Sequence, residues 1–250
     1  MSIQLSHFNP IARFLSESIR LRPNRSLAAR GAAWFFLILA FWLAVLFLTA
    51  GSWNYWQGWV FLGIIFLPNA CGYVYFYWRD PELLERRLRS KETVAKQALL
   101  MRWLKLFFLA ALVLPGFDHR FAWSRNILGD EPMWLALISQ ALAMAGMLFV
   151  MWVMGVNRYA GRTIQVDVGQ LVIATGPYRF VRHPMYAGGT VLLLFAPLAL
   201  GSLIAIPAFL LLLPFFAVRL LDEEKVLRAE LPGYTEYCQR TRFRLVPFVW

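Results

Sequence analysis

The side chains best suited to chemistry fall in the last hundred residues of the chain. The stretch Gly176-Pro177-Tyr178-Arg179-Phe180-Val181-Arg182-His183-Pro184-Met185-Tyr186-Ala187-Gly188-Gly189 sets a cationic turn directly ahead of an apolar run. Proline suits the first position of a helix, which needs no amide hydrogen, so His183 stands at the cap. The amides of Met185, Tyr186 and Ala187 are then expected to lack partners within the helix. Amides so placed favour an anionic group such as a ligand carboxylate. Gly188 and Gly189 permit close approach of a neighbouring helix or a flat ligand.

A second group, Arg219-Leu220-Leu221-Asp222-Glu223-Glu224-Lys225, puts Arg219 and Glu223 four residues apart and hence on one helix face. Arg219 follows the apolar run 210–218 without a polar buffer, and ionisable groups near membrane depth usually face a cavity or a bundle interior. A basic, aromatic tail follows, running through Tyr234, Tyr237, Arg240, Arg242, Phe243 and Arg244. It is expected to lie along the interface and to close a site from below. Read without any ligand, the same residues describe a capped helix start, two packing glycines and an ion pair that contributes little if solvated. P-loops, a GxGxxG after a strand, GxSxG elbows and HExxH are absent. Cys71 and Cys238 form no disulfide or zinc framework, and His7, His119 and His183 lack ligand spacing, so no metal is expected.

These groups need a scaffold, and composition says which kind. The 250 residues are 60% hydrophobic and only 16% charged, against about 25% charge in a typical soluble domain. That excludes a soluble globular enzyme and a disordered chain. At the ~20-residue length that a bilayer core demands, apolar runs predict spans over 32–50, 56–78, 99–115 and 133–155. The apolar stretch 186–221 is too long for one span and breaks at Gly201-Ser202, predicting a helical hairpin with arms 186–200 and 203–221. The expected fold is therefore an all-α integral membrane bundle of about six transmembrane helices, or five if the hairpin only dips into the membrane. The chain divides into a basic segment 1–30, four transmembrane helices over 31–155, and a cytoplasmic-facing catalytic region over 156–250. Within 1–30, residues 13–21 suit a short helix on the membrane surface. About thirty polar and basic residues precede the first apolar run, which has no clear cleavage site, so a signal peptide is not expected.

The net charge of +11 is mainly a topology signal. On this span model 21 of the 25 Lys and Arg residues lie on one side, which the positive-inside rule makes cytoplasmic together with both termini. Attraction to anionic membrane lipids is a secondary effect. No aromatic-basic reading surface accompanies the charge, so nucleic acid is not an expected partner. Trp53, Tyr55, Trp56 and Trp59 at one end of the second span, and Tyr73, Tyr75, Tyr77 and Trp78 at the other, read as interfacial belts. No repeat period is present.

The sequence GPYRFVRHPMYAGG, then RLLDEEKVL, then PGYTEYCQRTRFRLVP resembles the isoprenylcysteine carboxyl methyltransferase family, and phospholipid N-methyltransferases share a looser form of the C-terminal pattern. The resemblance covers roughly residues 157–250. It implies S-adenosylmethionine in a pocket closed by the C-terminal helices, with a lipophilic substrate entering from the membrane. Position by position, it implies that Gln165, the segment Gln170-Leu171-Val172-Ile173, Tyr178, His183, Pro184, Met185, Tyr186 and Glu223 contact the cofactor, and that Arg219 orients the substrate. The chain departs from the pattern in having Gln170 where histidine is common, and in a shorter spacing from Gln165 to Gln170. The implied roles suit the residues. A zwitterionic sulfonium needs helix-start amides for its carboxylate, a carboxylate such as Glu223 for its amino group or ribose, and tyrosine faces for its adenine or cation.

Two other readings compete. Membrane sterol or steroid reductases share Tyr-x-x-x-Arg-His-Pro-x-Tyr but usually have asparagine after the proline and an acid near the following glycine, where this chain has Met185 and Ala187-Gly188-Gly189. A non-catalytic lipid-binding protein could retain the same fold. The methyl acceptor stays open among carboxylate, amine and thiol, as do the membrane concerned and the oligomeric state. The topology has a direct test: reporters fused after residue 250 and inserted within 51–55 should report opposite sides of the membrane, and identical sidedness would overturn the assignment.

Overall fold

The computed structural model describes residues 25–88, 95–161 and 163–250; the surface helix expected over 13–21 lies outside them. In chain order the helices are α1 (Arg25–Ala50), α2 (Trp56–Arg79), α3 (Pro81–Leu88), α4 (Ala95–Phe121), α5 (Trp123–Leu128) and α6 (Met133–Val156). An irregular stretch with one 3-10 turn (Gly176–Arg179) leads to α7 (Pro184–Ala199), α8 (Ile206–Leu210), α9 (Leu213–Glu230) and α10 (Tyr234–Arg240). All named elements are helical, as expected.

Four helices, α1, α2, α4 over Gln97–Phe121 and α6, are long and apolar enough to cross a membrane. They are the four spans expected from apolar run length. They are apolar on nearly every face: Phe36, Leu48, Leu67, Trp134 and Trp152 point outward, a pattern that suits lipid rather than water. The third span continues past Pro115 to Phe121. Proline is tolerated there because it is fully buried among neighbouring helices, which can satisfy or shield the freed backbone groups.

The hairpin differs from expectation. Its first arm, α7, is 16 residues, about 24 Å at 1.5 Å per residue and short of the ~30 Å hydrocarbon core. Its second arm is broken into α8 and α9, and α9 runs on to Glu230. Pro207 and Pro214 each sit in the first turn of a new helix, where proline starts a helix more readily than it continues one. The arms therefore do not qualify as single spanning helices.

Two contacts fix α7. Along its length it packs on α6 through paired glycines. A β-carbon on Gly188 would lie 2.8 Å from Val150 Cγ2 and 2.9 Å from the Gly146 carbonyl oxygen, while one on Gly146 would lie 2.9 Å from the Gly188 carbonyl oxygen. At its far end the turn is clasped by a buried acid. Asp118 of α4 accepts bonds from the Ser124 amide at 2.6 Å, from the Ser202 hydroxyl at 2.5 Å and from the Ser124 hydroxyl. Tyr55 donates its hydroxyl to the Leu200 carbonyl at 2.6 Å and stacks on His119 at 4.4 Å. Tyr55 is thus not the interfacial anchor expected of it; it is 1% exposed and locks the hairpin turn. Tyr73 leaves the opposite belt in the same way, its hydroxyl lying 3.2 and 3.1 Å from the Leu27 and Ala28 carbonyls of α1.

The glycine crossing gives a sharp test. Gly188→Ala should cost about 1–3 kcal/mol through overpacking, read as a lower unfolding temperature in detergent. Gly155→Ala, with nothing within 4 Å of the new methyl group, should be neutral or stabilising by about 0.5–1 kcal/mol. Equal behaviour of the two variants would overturn the close-packing account.

Candidate active site

A cavity of about 450 Å³ opens between α6, α7, α9 and the irregular segment 157–183. Of the residues implied by the sequence pattern, Gln165, Gln170, Leu171, Val172, Ile173, Tyr178, His183, Met185, Tyr186, Arg219 and Glu223 all line it. Pro184 does not; it is buried behind the wall as the first residue of α7.

Each wall has a local cause. Residues 157–161 and 163–173 are pinned from outside by α3, whose Leu83 and Leu84 are buried while its arginines reach over. Arg86 donates to Asp167 Oδ2 at 2.8 Å and to the Arg158 carbonyl at 2.9 Å. Asp167 then organises both lining glutamines, accepting from Gln165 Nε2 at 3.2 Å and donating its amide to Gln170 Oε1 at 3.0 Å. Tyr178 is held by Asn157, which donates to its hydroxyl at 2.8 Å, and by Tyr237, whose hydroxyl donates to its carbonyl at 2.8 Å. Burial, with the charge of Glu223 adding to it against the Asn157 bond, pushes the Tyr178 phenol up to about 12. It is neutral at physiological pH.

The start of α7 departs from the expected cap. His183 occupies the cap position but makes no side-chain capping bond. Its ring instead lies 3.4 Å from Glu224 Oε1 and edge-on to Tyr186 at 5.8 Å. Ala187 donates to the His183 carbonyl at 3.1 Å, so its amide is not unpaired, and only Met185 and Tyr186 remain as helix-start donors. The tail pins the residues just ahead of the helix. Arg182 and His183 donate their amides to the Phe243 and Arg244 carbonyls, each at 2.9 Å, in a short parallel pairing centred on Val181 and Phe243. Of the tail, Tyr234 and Tyr237 line the cavity.

The two adjacent glutamates of α9 face different ways. Glu223 lines the cavity and accepts the Tyr186 hydroxyl at 2.9 Å. Glu224 is 4% exposed and is absent from the lining. It takes Arg182 Nε at 2.6 Å on one oxygen and Arg244 Nε at 3.1 Å on the other. Arg182 also donates to the Thr241 and Arg242 carbonyls at 3.0 and 2.8 Å. Burial would raise the Glu224 carboxyl, but the His183 ring beside it and the bonds from Arg182 and Arg244 outweigh it and hold the group down at about 2.

Sequence reasoning did not single out Arg87, Met101, Asn157, Arg182, Tyr234 or Tyr237 as site residues, though all six line the cavity. Arg182 carried a signal, since it precedes the His-Pro pair. Tyr234 and Tyr237, three apart in the aromatic tail, carried another. Arg87 and Met101 come from distant helices with no local pattern. Among the described residues no cluster of His, Cys, Asp or Glu could hold a metal.

Residues 134–231 match the phospholipid methyltransferase family. A curated relative, the Delta(14)-sterol reductase of Mus musculus, is 30% identical over 93 residues, 35% of this chain and 22% of that protein. The chain thus aligns with about a fifth of that relative's length. A solved eukaryotic intramembrane Ras methyltransferase, isoprenylcysteine carboxyl methyltransferase, aligns over 89% of this chain and 86% of its own at 15% identity and a TM-score of 0.45.

Because the Glu224 carboxyl is depressed, its contribution to stability is complete above the ordinary value of 4.5 and is lost as pH falls through about 2. Amide exchange over 241–250 should therefore stay slow down to about pH 4.5, once corrected for intrinsic rates, and should quicken below it. In Glu224→Gln it should be fast at every pH, and unchanged protection in that variant would remove the carboxylate from its role. All of the cavity lining except Arg87, Met101, Tyr234 and Tyr237 falls within residues 134–231, so the segment that builds most of the site is the one that matches the phospholipid methyltransferase family model.

Proposed function

We propose that the protein is a membrane-embedded, S-adenosylmethionine-dependent methyltransferase with a cytoplasmic-facing site and a lipophilic acceptor. The observation that carries this reading is the convergence on one cavity of eleven residues implied by the methyltransferase pattern. The residues present fit the cofactor's chemistry. Glu223, held inside the cavity by Tyr186, offers a carboxylate to a cationic or hydroxyl-bearing group. Tyr178 and Tyr186 offer aromatic faces. The first amides of α7 offer donors to a carboxylate.

Bound S-adenosylmethionine would supply an electrophilic methyl group. The protein's own part is alignment and exclusion of water, which contribute most to an in-line displacement. Arg219, 7% exposed and lining the cavity, presents a planar fork of donors suited to a carboxylate. A carboxylate is already ionised at neutral pH, so its methylation needs no strong general base. An acceptor of the isoprenylcysteine carboxylate kind therefore suits this site best.

The match to a sterol reductase favours a second reading, hydride transfer from NADPH. One experiment separates the two: titrate the purified protein with labelled S-adenosylmethionine and with NADPH. Saturable binding of the first alone is expected, and binding of NADPH alone would replace the proposal. Glu223→Gln should then weaken S-adenosylmethionine binding by roughly 1.5–3 kcal/mol, the worth of a charged hydrogen bond, while the protein stays folded. Unchanged affinity in that variant would remove Glu223 from the cofactor site.

A further inference from the structure

Helix α4 lies outside the segment that matches the methyltransferase family, yet it reaches Arg219. Gln97, in the first turn of α4, is 3% exposed. It sits four residues before Met101, hence on the same helix face, and Met101 lines the cavity. Its Nε2 donates to Asp222 Oδ2 at 2.7 Å, and its Oε1 accepts from Arg219 Nη1 at 3.3 Å. The Asp222 oxygen accepts and a guanidinium can only donate, so the two neighbours together fix the amide: nitrogen toward Asp222, oxygen toward Arg219. Asp222 is itself held by Lys225 Nζ at 2.8 Å. A buried amide costs free energy unless both ends are bonded. This one is bonded at both ends, and one of its partners is the cavity arginine.

We propose that Gln97 is a positioning residue that aims the Arg219 guanidinium at the head group of an anionic amphiphilic acceptor. Acceptor selectivity is then shared between α9 and a helix of the N-terminal half. The proposal rests on the reading of this cavity as an acceptor site, and it predicts an effect on anions alone. Gln97→Leu removes one acceptor that Arg219 Nη1 uses. Gln97→Glu replaces a neutral amide oxygen with a charge that competes with the ligand for Arg219 and repels Asp222. Asp222→Asn leaves both neighbours in place but holds the amide nitrogen with a neutral acceptor in place of a carboxylate, which loosens the anchor.

The probes are oleate, an anionic amphiphile, and its uncharged methyl ester, measured by binding to the full chain in nanodiscs of neutral lipid with empty discs subtracted. The wild-type protein should prefer oleate. Gln97→Leu and Gln97→Glu should weaken oleate binding about fivefold to tenfold, the worth of one ordinary hydrogen bond, since the effect is passed on through Arg219. Binding of methyl oleate and of S-adenosylmethionine should not change. Asp222→Asn should shift oleate binding in the same direction by less, and it keeps the test open if the Gln97 variants fold poorly. Combining Gln97→Leu with Arg219→Lys should cost less than the sum of the two, since one acts through the other.

Equal loss for oleate and its ester, unchanged oleate binding in folded variants, additive losses, or no wild-type preference for oleate would each overturn the proposal. Failure of S-adenosylmethionine to bind the wild-type protein would instead overturn the methyltransferase reading, while the oleate comparison still decides the role of Gln97.

Discussion

The buried pairing of Glu224 with Arg182 is the contact on which the geometry of the site depends. Removing either charge from water is costly, and the pair is favourable only because the remaining hydrogen-bonding positions are also filled. Here both carboxylate oxygens and the Arg182 Nη1 group are engaged: Arg244 takes the second oxygen, and the Thr241 and Arg242 carbonyls take Nη1. A pair of this kind tolerates little displacement, because loss of one partner strands a buried charge at a cost of about 3–5 kcal/mol. It therefore sets the rotation of α9. Successive side chains on a helix are about 100° apart, so with Glu224 turned toward the tail, Glu223 and Arg219 turn together toward the cavity. The one glutamate orients; the other faces the ligand space.

The same pairing ties the tail to the start of α7. The amides ahead of α7 are satisfied by the Phe243 and Arg244 carbonyls, and Arg244 returns to Glu224. Backbone and side chain thus close one loop through residues 181–183, 224 and 241–244. At the other end, Gln140 donates to the Ala199 carbonyl at 3.1 Å, Tyr55 holds Leu200 and Asp118 holds Ser202. Between these ends Gly146 and Gly188 bring the α6 and α7 backbones into contact. A short helix pinned at both ends and in the middle makes a stiff wall. Stiffness is what an alignment-dependent reaction requires, since a misplacement of about 1 Å can cost about a hundredfold in rate.

Much of this was legible in the sequence, and the misses have physical reasons. The four long spans show as apolar runs because bilayer thickness imposes their length. The wall from Gln165 to Tyr186 was legible because it is nearly contiguous, and its residue types carry the pattern. The second hairpin arm misled because a hydropathy count treats Pro207 and Pro214 as ordinary apolar residues, whereas the backbone treats them as helix starts. Tyr55 misled because an aromatic beside a span end reads as an interfacial anchor, and only tertiary contact shows that Leu200 claims its hydroxyl. Adjacent Glu223 and Glu224 are identical in type, so nothing local says which faces inward. Gln97 was out of reach: 122 residues separate it from Arg219, and no periodicity links the two.

That last miss says something about how the cavity is assembled. Residues 134–231 supply most of the cavity walls and leave gaps that they cannot fill themselves. Arg87 from α3 and Met101 from α4 fill them, Arg86 fixes the loop through Asp167, and Gln97 reaches Arg219 from behind. A helix that donates side chains to a site without supplying its main chemistry can change those side chains and leave the cofactor walls intact. On the proposed function, the cofactor is then held by the contiguous C-terminal motif, while the shape and charge offered to the acceptor depend on how α3 and α4 lean against it. Two chains could share residues 134–231 closely and still differ in acceptor, because the guanidinium of Arg219 points where its neighbours on α4 allow.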